Sequence, residues 1–597
     1  MSGVIIQALS RYYDILASDE DTDIARNGYS SEKVSYALLI STDGDLVDIL
    51  PCNEEVTIGK KLRSVPKRMI LPYQGGRSGI NPPPNLLYDN SKYVLGLGTD
   101  KSGALITMRD RFEGFKSHHM ELFESEECDE STALLRFLER WDIEQAAVHP
   151  VVAKWLPDIV TGGGNIVFRL DGHTRYVHEV PQLKAIWEKY TAAGEVSTVQ
   201  QCLVTGEIGP IERLHPKIKG VKDTNSAGAN IVSFKDASYE SYGKKQGENA
   251  PVNRSTTFAY GTVLNHMLGS TKQKIQIGDA TTVFWAESPE SIYTDLSALM
   301  FNPPNGSLKE EQHTQDRKVE QLVSTVLNNA KSGMKTGNLS NYVNPETRFY
   351  ILGLSPNVAR ISIRFFHQTD FGKFINQVAK HYGDMTIVKQ FDNEMDNIPL
   401  WAIVNETVPK SSKDKKPNPL LTGTLMRSIL EGTPYPAILL TSILQRIRSD
   451  QEVNYVRAAI IKAFLLRSTD NFREELSVEL DEGSTNPAYR LGRLFAVLEK
   501  VQSDAIESSQ TIRDKYIASA SATPSIIFPR LLSMPQHQFS KAGSGKRNDH
   551  MIENIVQSFD ANECFPPSLS VEEQGAFFIG YYHQRKALFT KQEKGGI

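Results

Sequence analysis

Between Val408 and Pro419 the chain reads VPKSSKDKKPNP, polar, lysine-rich and bounded by prolines, and the hydrophobic pattern differs on its two sides. Such a composition marks a linker. Residues 1–407 mix strand and helix signals. Residues 420–480 repeat apolar positions at helical spacing, and 481–597 continue the same way. The expected fold is α+β: a large mixed α/β N-terminal region, a linker at 408–419, connecting helices over 420–480 and an all-α bundle over 481–597. At 597 residues the chain exceeds what one hydrophobic core usually supports, which agrees with several domains.

Local signals fill in this outline. Val4, Ile5, Leu9, Tyr12, Tyr13 and Leu16 fit one face of an opening helix. VSYALLIS and DLVDILP flank Asp43-Gly44, a tight-turn signal between strands. Helical patterns over about 105–200 read as an insertion, interrupted by the strand-like NIVFRLDG. TTVFWA is β-branched and aromatic, and RFYILGLSPNVARISIRFF reads as two strands around Ser355-Pro356-Asn357. Past the linker, Leu425, Met426, Ile429 and Leu430 form one apolar face. Leu440, Ile443, Leu444 and Ile447 form the next. Val453, Val456, Ile460 and Phe464 form a third, and Leu491, Leu494, Leu498 and Val501 a fourth. Asn486-Pro487 supplies an N-cap and a proline at the first helical position.

Charge is distributed unevenly. The net charge is −5, yet Val56 to Tyr88 holds six cations and no acidic residue. Lys60, Lys61, Arg63, Lys67, Arg68 and Arg77 lead into the loop GGRSGINPPPNLLYDNSKYVLG. Cations beside a shaped, hydrogen-bonding loop suit a phosphate backbone with base edges next to it. A solvated face beside an ordinary surface loop is the competing reading. A second segment, Lys217 to Arg254, is rich in Gly, Ser and Asn and carries Phe234, Tyr239 and Tyr242 among seven cations. It suits nucleic acid for similar reasons, and a long surface loop is again the alternative.

Enzyme signatures do not appear. There is no GxxxxGK[ST], no GxGxxG after a strand, no HExxH and no GxSxG. Cys52, Cys128, Cys202 and Cys564 lie far apart, as reduced structural thiols would. His118-His119 and Asp549-His550 read as exposed histidines in polar segments. Asp43, Asp45 and Asp48 read as turn chemistry rather than a calcium loop. Asp279 and Glu287 flank TTVFWA about 26 Å apart along an extended strand, too far for joint acid–base work. Trp285 between them reads as core or interface. The expectation is therefore no catalytic residue, no metal and no cofactor. No apolar run reaches the roughly 18 residues of a membrane span, and no signal peptide opens the chain.

Several blocks together resemble a known family. They are SGINPPPNLLYDNSKYVLG, CLVTGEIGPIERLHPKIKG, NSAGANIVSFKDASYESYGKKQGENAPVN, FAYGTVLNHML, GDATTVFWAES, RFYILGLSPNVARISIRFF, NPLLTGTLMRSILEGTPYPAILLTSILQRIRSD and NPAYRLGRLFAVLEK. The chain resembles the large subunit of the subtype I-C CRISPR Cascade complex, the RNA-guided surveillance assembly of bacterial antiviral defence. The resemblance implies a non-catalytic cytoplasmic protein that reads the protospacer-adjacent motif (PAM) on target double-stranded DNA. It implies help in parting the strands, steadying of the R-loop and recruitment of a separate helicase-nuclease. It implies as partners the guide RNA, the backbone and 5′-end-binding Cascade subunits, and small subunits made from an internal start in the same gene.

Within that frame, Lys60, Lys61, Arg63, Lys67 and Arg68 would grip duplex phosphates. Arg77, Ser78, Asn81 and Asn85 would read base edges, and Lys92 would meet a phosphate. Lys217, Lys219, Lys222, Asn225, Ser226, Tyr242, Lys244 and Lys245 would line the path of guide RNA or separated strands. Arg490, Arg493, Lys500, Arg513, Lys515 and Arg530 would supply a single-strand track on the C-terminal bundle, with solvation as the alternative role. Two other classes stay open: a structural scaffold without base readout, and a divergent metal-dependent nuclease.

Overall fold

The computed structural model describes residues 2–19, 22, 24–58, 61–73, 82–123, 128–161, 164–192, 198–234, 236–303, 314–332, 339–412, 417–468, 476–505, 511–533, 545–559 and 565–589. The chain forms two compact units. The first comprises Met1–Gly220, Thr224–Gly269 and Val358–Arg360; the second comprises Val221–Asp223, Ser270–Asn357 and Ile361–Ile597. Mixed α/β structure precedes a mostly helical region from about residue 371.

The first unit is built on a six-stranded sheet around the Tyr29–Ile40 strand. Twelve residues are long enough to serve two partners along one edge. Tyr29 to Val34 pair antiparallel with Lys67 to Pro72, and Tyr36 to Ile40 pair with Leu46 to Pro51. The latter pair is the hairpin expected around Asp43-Gly44, with Gly44 at φ +85°. Its other edge pairs in parallel with Asn165–Leu170, the strand-like NIVFRL. Ala37, Leu38, Ile40, Val167, Phe168 and Leu170 are completely buried. Helices Arg109–Phe123, Asp129–Arg140 and Pro181–Ala192 send Phe115, Phe137 and Trp187 into the same core. The opening helix, Ser2–Ser18, buries Ile5, Ile6, Leu9, Tyr12 and Leu16. Val4 turns outward, on the side of the helix away from the buried Ile5 and Leu9.

The second unit combines a four-stranded sheet with a helical bundle. Strand order is Lys274–Ile277, Ala280–Ala286, Arg348–Asn357, Arg360–Asp370. Every residue of Ala280–Ala286 is buried, which explains its unbroken apolar and β-branched character. Trp285 is core and stacks on Tyr350 with ring centroids 5.1 Å apart. Its flanking carboxylates have structural partners: Asp279 pairs with Arg364 and Glu287 accepts from the Tyr350 hydroxyl. The turn of the last hairpin falls later than expected. Ser355, Pro356 and Asn357 belong to the strand, and Val358 and Ala359 form the tip. Serine-proline-asparagine is strong turn chemistry, but Ser355 is buried, so pairing extends past it.

The four apolar faces past the linker pack into the core, within helices Pro419–Glu431, Ala437–Asp450, Tyr455–Ser468 and Pro487–Ala505, except that Val453 lies ahead of the third helix and Val456 is half-buried. Two of these begin at Asn-Pro. The side-chain oxygens of Asn418 and Asn486 accept from the backbone N–H of Leu420 and Tyr489, at 2.9 and 3.0 Å. Pro487–Ala505 packs against Val571–Phe589 at backbone distance. A Cβ on Gly492 would lie 1.9 Å from the Phe577 carbonyl oxygen, and one on Gly580 2.0 Å from that of Tyr489. No helix among the described residues is long and apolar enough to cross a membrane.

Candidate nucleic-acid interface

The basic strand, Lys61–Pro72, has two halves. Lys67 to Pro72 lie inside the sheet; among the described residues, Lys61 to Pro66 pair only with Asn53 to Ile58. The outer half is therefore a two-stranded ribbon, with Cys52 at its junction to the sheet. In its outermost rungs Val56, Thr57 and Ile58 stand opposite Arg63, Leu62 and Lys61. Nearer the sheet, exposed Glu54 and Glu55 stand opposite Val65 and Ser64. Lys67 and Arg68 are exposed and, as successive strand residues, point to opposite faces. The Lys67 N–H donates to the Cys52 carbonyl at 2.8 Å, tying the ribbon's root. The Arg68 guanidinium lies beside Gly269, the last residue of the Arg254–Gly269 helix, where the helix dipole favours a cation.

Of the loop expected to read bases, Arg77, Ser78 and Asn81 lie outside the described residues, as does Lys60. The Lys61 and Arg63 backbones are in the ribbon, and their side chains are not described. The loop's returning limb, Pro82 to Leu95, is fixed at four points. The Tyr93 hydroxyl donates to the Pro82 carbonyl at 2.6 Å and accepts from Arg111 at 3.0 Å. The Arg111 guanidinium also sits 5.2 Å from the Tyr93 ring centre. Asp89, completely buried, accepts the backbone N–H groups of Asn85 and Asn90 at 2.9 and 2.8 Å. Leu87 has a left-handed backbone, φ +64°, and its N–H donates to Nε2 of His119 at 2.8 Å. Nδ1 of His119 faces the Phe115 carbonyl at 2.7 Å, so it carries the ring proton.

His119 is therefore not an exposed histidine. It is buried and neutral, its pKa pushed down to about 3 by desolvation. Asn85 is buried as well, at 7% exposure, so its amide does not face a groove here. Lys92 is half-buried, with its N–H held by the Asn90 side chain at 3.1 Å. Arg111 and His119 had no signal in the sequence beyond lying on one helix.

Lys217 to Arg254, in the first unit apart from Val221–Asp223, has little regular structure but many backbone ties. Asn265 accepts the Lys219 N–H at 2.8 Å and donates to the Lys217 carbonyl at 3.1 Å. Both lysines are exposed, and Lys219 pairs with Glu32 at 3.5 Å. Asn225 turns the chain by accepting the Ala227 N–H at 3.1 Å, leaving Asn225 and Ser226 exposed. Lys244, Lys245 and Tyr242 are exposed too. Lys222 belongs to the second unit, where its N–H donates to Thr281.

The family model for CRISPR-associated protein (Cas_Csd1) matches residues 9–589. The chain belongs to this family. Cas_Csd1 proteins are the large subunits of type I-C Cascade, and membership implies a guide RNA and other Cas subunits as partners. A search of curated proteins finds no match to the chain. Among the described residues of this Cas_Csd1 chain, no group of three or more His, Cys, Asp or Glu side chains could hold a metal ion.

The C-terminal cations do not form the expected track. Arg493 is buried, bonding Gln584 and the Glu482 carbonyl at 3.0 and 2.9 Å. Arg490 donates to the carbonyls of Ser484 and Ser558. Arg513 lies against Glu499 and Asp514, and Lys500 pairs with Asp504. Helix packing turns these side chains toward carbonyl ends and carboxylates. Lys515 and Arg530 are exposed, Arg530 over the Tyr516 ring.

The Tyr93 hydroxyl is the best single handle on the loop. Tyr93→Phe removes the bond to Pro82 and the acceptor of Arg111, which should cost about 1–3 kcal/mol. The expected result is a small fall in thermal midpoint and, in the assembled complex, weaker discrimination between flanking sequences. Wild-type behaviour in both would remove the loop from the site.

Proposed function

We propose that this chain is the non-catalytic, DNA-reading large subunit of its complex. It reads the protospacer-adjacent motif on duplex DNA, helps part the strands, steadies the R-loop and presents a surface to the helicase-nuclease. Base pairing with the guide reads the long sequence, so the protein needs to read only a short motif and the duplex shape.

The observation that carries this reading is the ribbon at Asn53 to Pro66, next in the chain to a loop with a fixed returning limb. A two-stranded ribbon fits the major groove of B-DNA. Cations at its outer rungs and at Lys67 supply the phosphate attraction, and a returning limb held in place from Pro82 to Leu95 lowers the entropy cost of reading bases. Arg77, Ser78 and Asn81 remain the proposed base readers, with Lys60, Lys61, Arg63 and Lys92 on phosphates. Asn85 supports the loop from inside.

Charge reversal tests the electrostatic part. For the reconstituted complex, Lys67→Glu should weaken binding to a guide-matched duplex and lower the slope of log K against log salt by about 1. Arg68→Glu should also destabilise the first unit, because it sets a carboxylate at a helix C-terminus. An unchanged salt slope for Lys67→Glu would make the chain a scaffold at this surface. Incubating the lone protein with DNA and Mg²⁺ or Mn²⁺ should yield no cleavage.

A further inference from the structure

Val358 and Ala359, the tip of the last hairpin, and Arg360 beside them count with the first unit. Val358 is 95% exposed and holds a left-handed backbone, φ +54°. A β-branched residue is a genuine outlier there, since its side chain crowds the backbone. Two residues on, the Arg360 guanidinium lies over the Tyr239 ring, 4.7 Å from its centre. A backbone bridge joins Arg360 to Asn230. The tip is thus tied to the loop that carries Tyr239 and Tyr242.

That loop is built rather than slack. The Asn249 amide donates to the carbonyls of Lys244 and Gln246 at 3.1 and 3.0 Å and accepts the Ser241 N–H at 3.0 Å. Glu248 accepts the Lys245 N–H at 3.0 Å and the Thr198 hydroxyl at 2.7 Å. The result holds Tyr242 entirely in solvent, 100% exposed at φ +55°, with Lys244 and Lys245 exposed just after it. Along the chain Asp236 and Glu240 flank Tyr239, and Lys244 and Lys245 follow Tyr242, with Glu248 near both lysines.

We infer that Tyr242, the Tyr239–Arg360 stack and Val358 form a binding site for unpaired bases of separated DNA, with Lys244 and Lys245 on the phosphates. Aromatic faces and an arginine plane stack any base, and cations track the backbone. A strained apolar knuckle serves where base pairs come apart. Guide RNA is single-stranded from the start and needs none, which favours DNA. The inference rests on the reading above for its source of unpaired DNA.

The test is a fluorescence titration of the full chain with a single-stranded deoxyoligonucleotide carrying 2-aminopurine. Its duplex and the RNA of the same sequence are run alongside. Wild type should bind the single DNA strand more tightly than either and quench the aminopurine on binding. Tyr242→Ala should bind about tenfold more weakly. Val358→Gly should lose quenching without lowering the thermal midpoint, because glycine accepts the left-handed backbone. Wild-type affinity and quenching in both variants would overturn the site, and so would no binding by wild type. Tighter binding of the RNA would assign the loop to the guide and overturn it too. Selection of a flanking motif is a separate readout in the assembled complex, so either idea can fail alone.

Discussion

Gly580→Val should abolish the close packing of the two long C-terminal helices. The Cβ position at Gly580 is 2.0 Å from a backbone oxygen, and at the facing Gly492 it is 1.9 Å from another. Backbone cannot rotate away as a side chain can, so the helices must separate. Separation opens voids around Phe495, Phe577 and Tyr581, all buried at this contact. The expected cost is about 3–5 kcal/mol in the transition of the second unit, the upper part of the range for single substitutions. Gly423 is the control. It lies inside the Pro419–Glu431 helix with nothing within 4 Å of a Cβ, so Gly423→Ala should stabilise by up to about 1 kcal/mol. Thermal and denaturant midpoints read both. A Gly580→Val protein that melts like wild type would refute the packing.

Arg457→Ala should cost as much by a different route. Arg457 is 1% exposed, and its guanidinium bonds Glu406 at 2.7 Å, Asp450 at 2.5 Å and the Glu452 carbonyl at 3.0 Å. Removing it takes the guanidinium from both carboxylates, leaving Asp450 with the longer Arg446 contact at 3.7 Å and Glu406 with the Asn454 amide at 3.3 Å. Breaking such a buried group by one partner costs about 3–5 kcal/mol. Arg457→Lys keeps the charge but loses the fork that reaches both carboxylates, so it should recover little. Arg457→Met combined with Asp450→Asn and Glu406→Gln should recover much more, because neither carboxylate charge is left there, although Arg446 then loses its 3.7 Å partner Asp450. If the single and triple variants have the same midpoint, the desolvated carboxylates are not the source of the loss.

What could be read from the sequence was what depends on near neighbours. The apolar faces from Leu425 to Val501, the cap at Asn486-Pro487 and the turn at Asp43-Gly44 are each set within a few residues. The sheet order was hidden, because Ile40 and Leu170 pair across 130 residues of chain and no local pattern names the partner. The C-terminal cations misled for the same reason. Arg493 meets Gln584, 91 residues away, and composition shows that a residue is charged but not which carbonyl or carboxylate packing brings to it. Ser355-Pro356-Asn357 misled in the opposite sense, since local turn chemistry yielded to burial in the sheet. The basic segment was visible as charge. Its division into a ribbon and a rooted strand, and the anchoring of its loop by Tyr93, Arg111 and His119, come from tertiary contacts alone.

The central claim is that the loop following the ribbon reads the motif. The direct measurement is binding of the reconstituted complex to guide-matched duplexes with a randomised flank, for wild type, Arg77→Ala and Asn81→Ala. Wild type should select a short flanking motif, and both variants should lose that selection while still binding single-stranded target. Selection that survives both substitutions would contradict the claim and place base readout elsewhere in the complex.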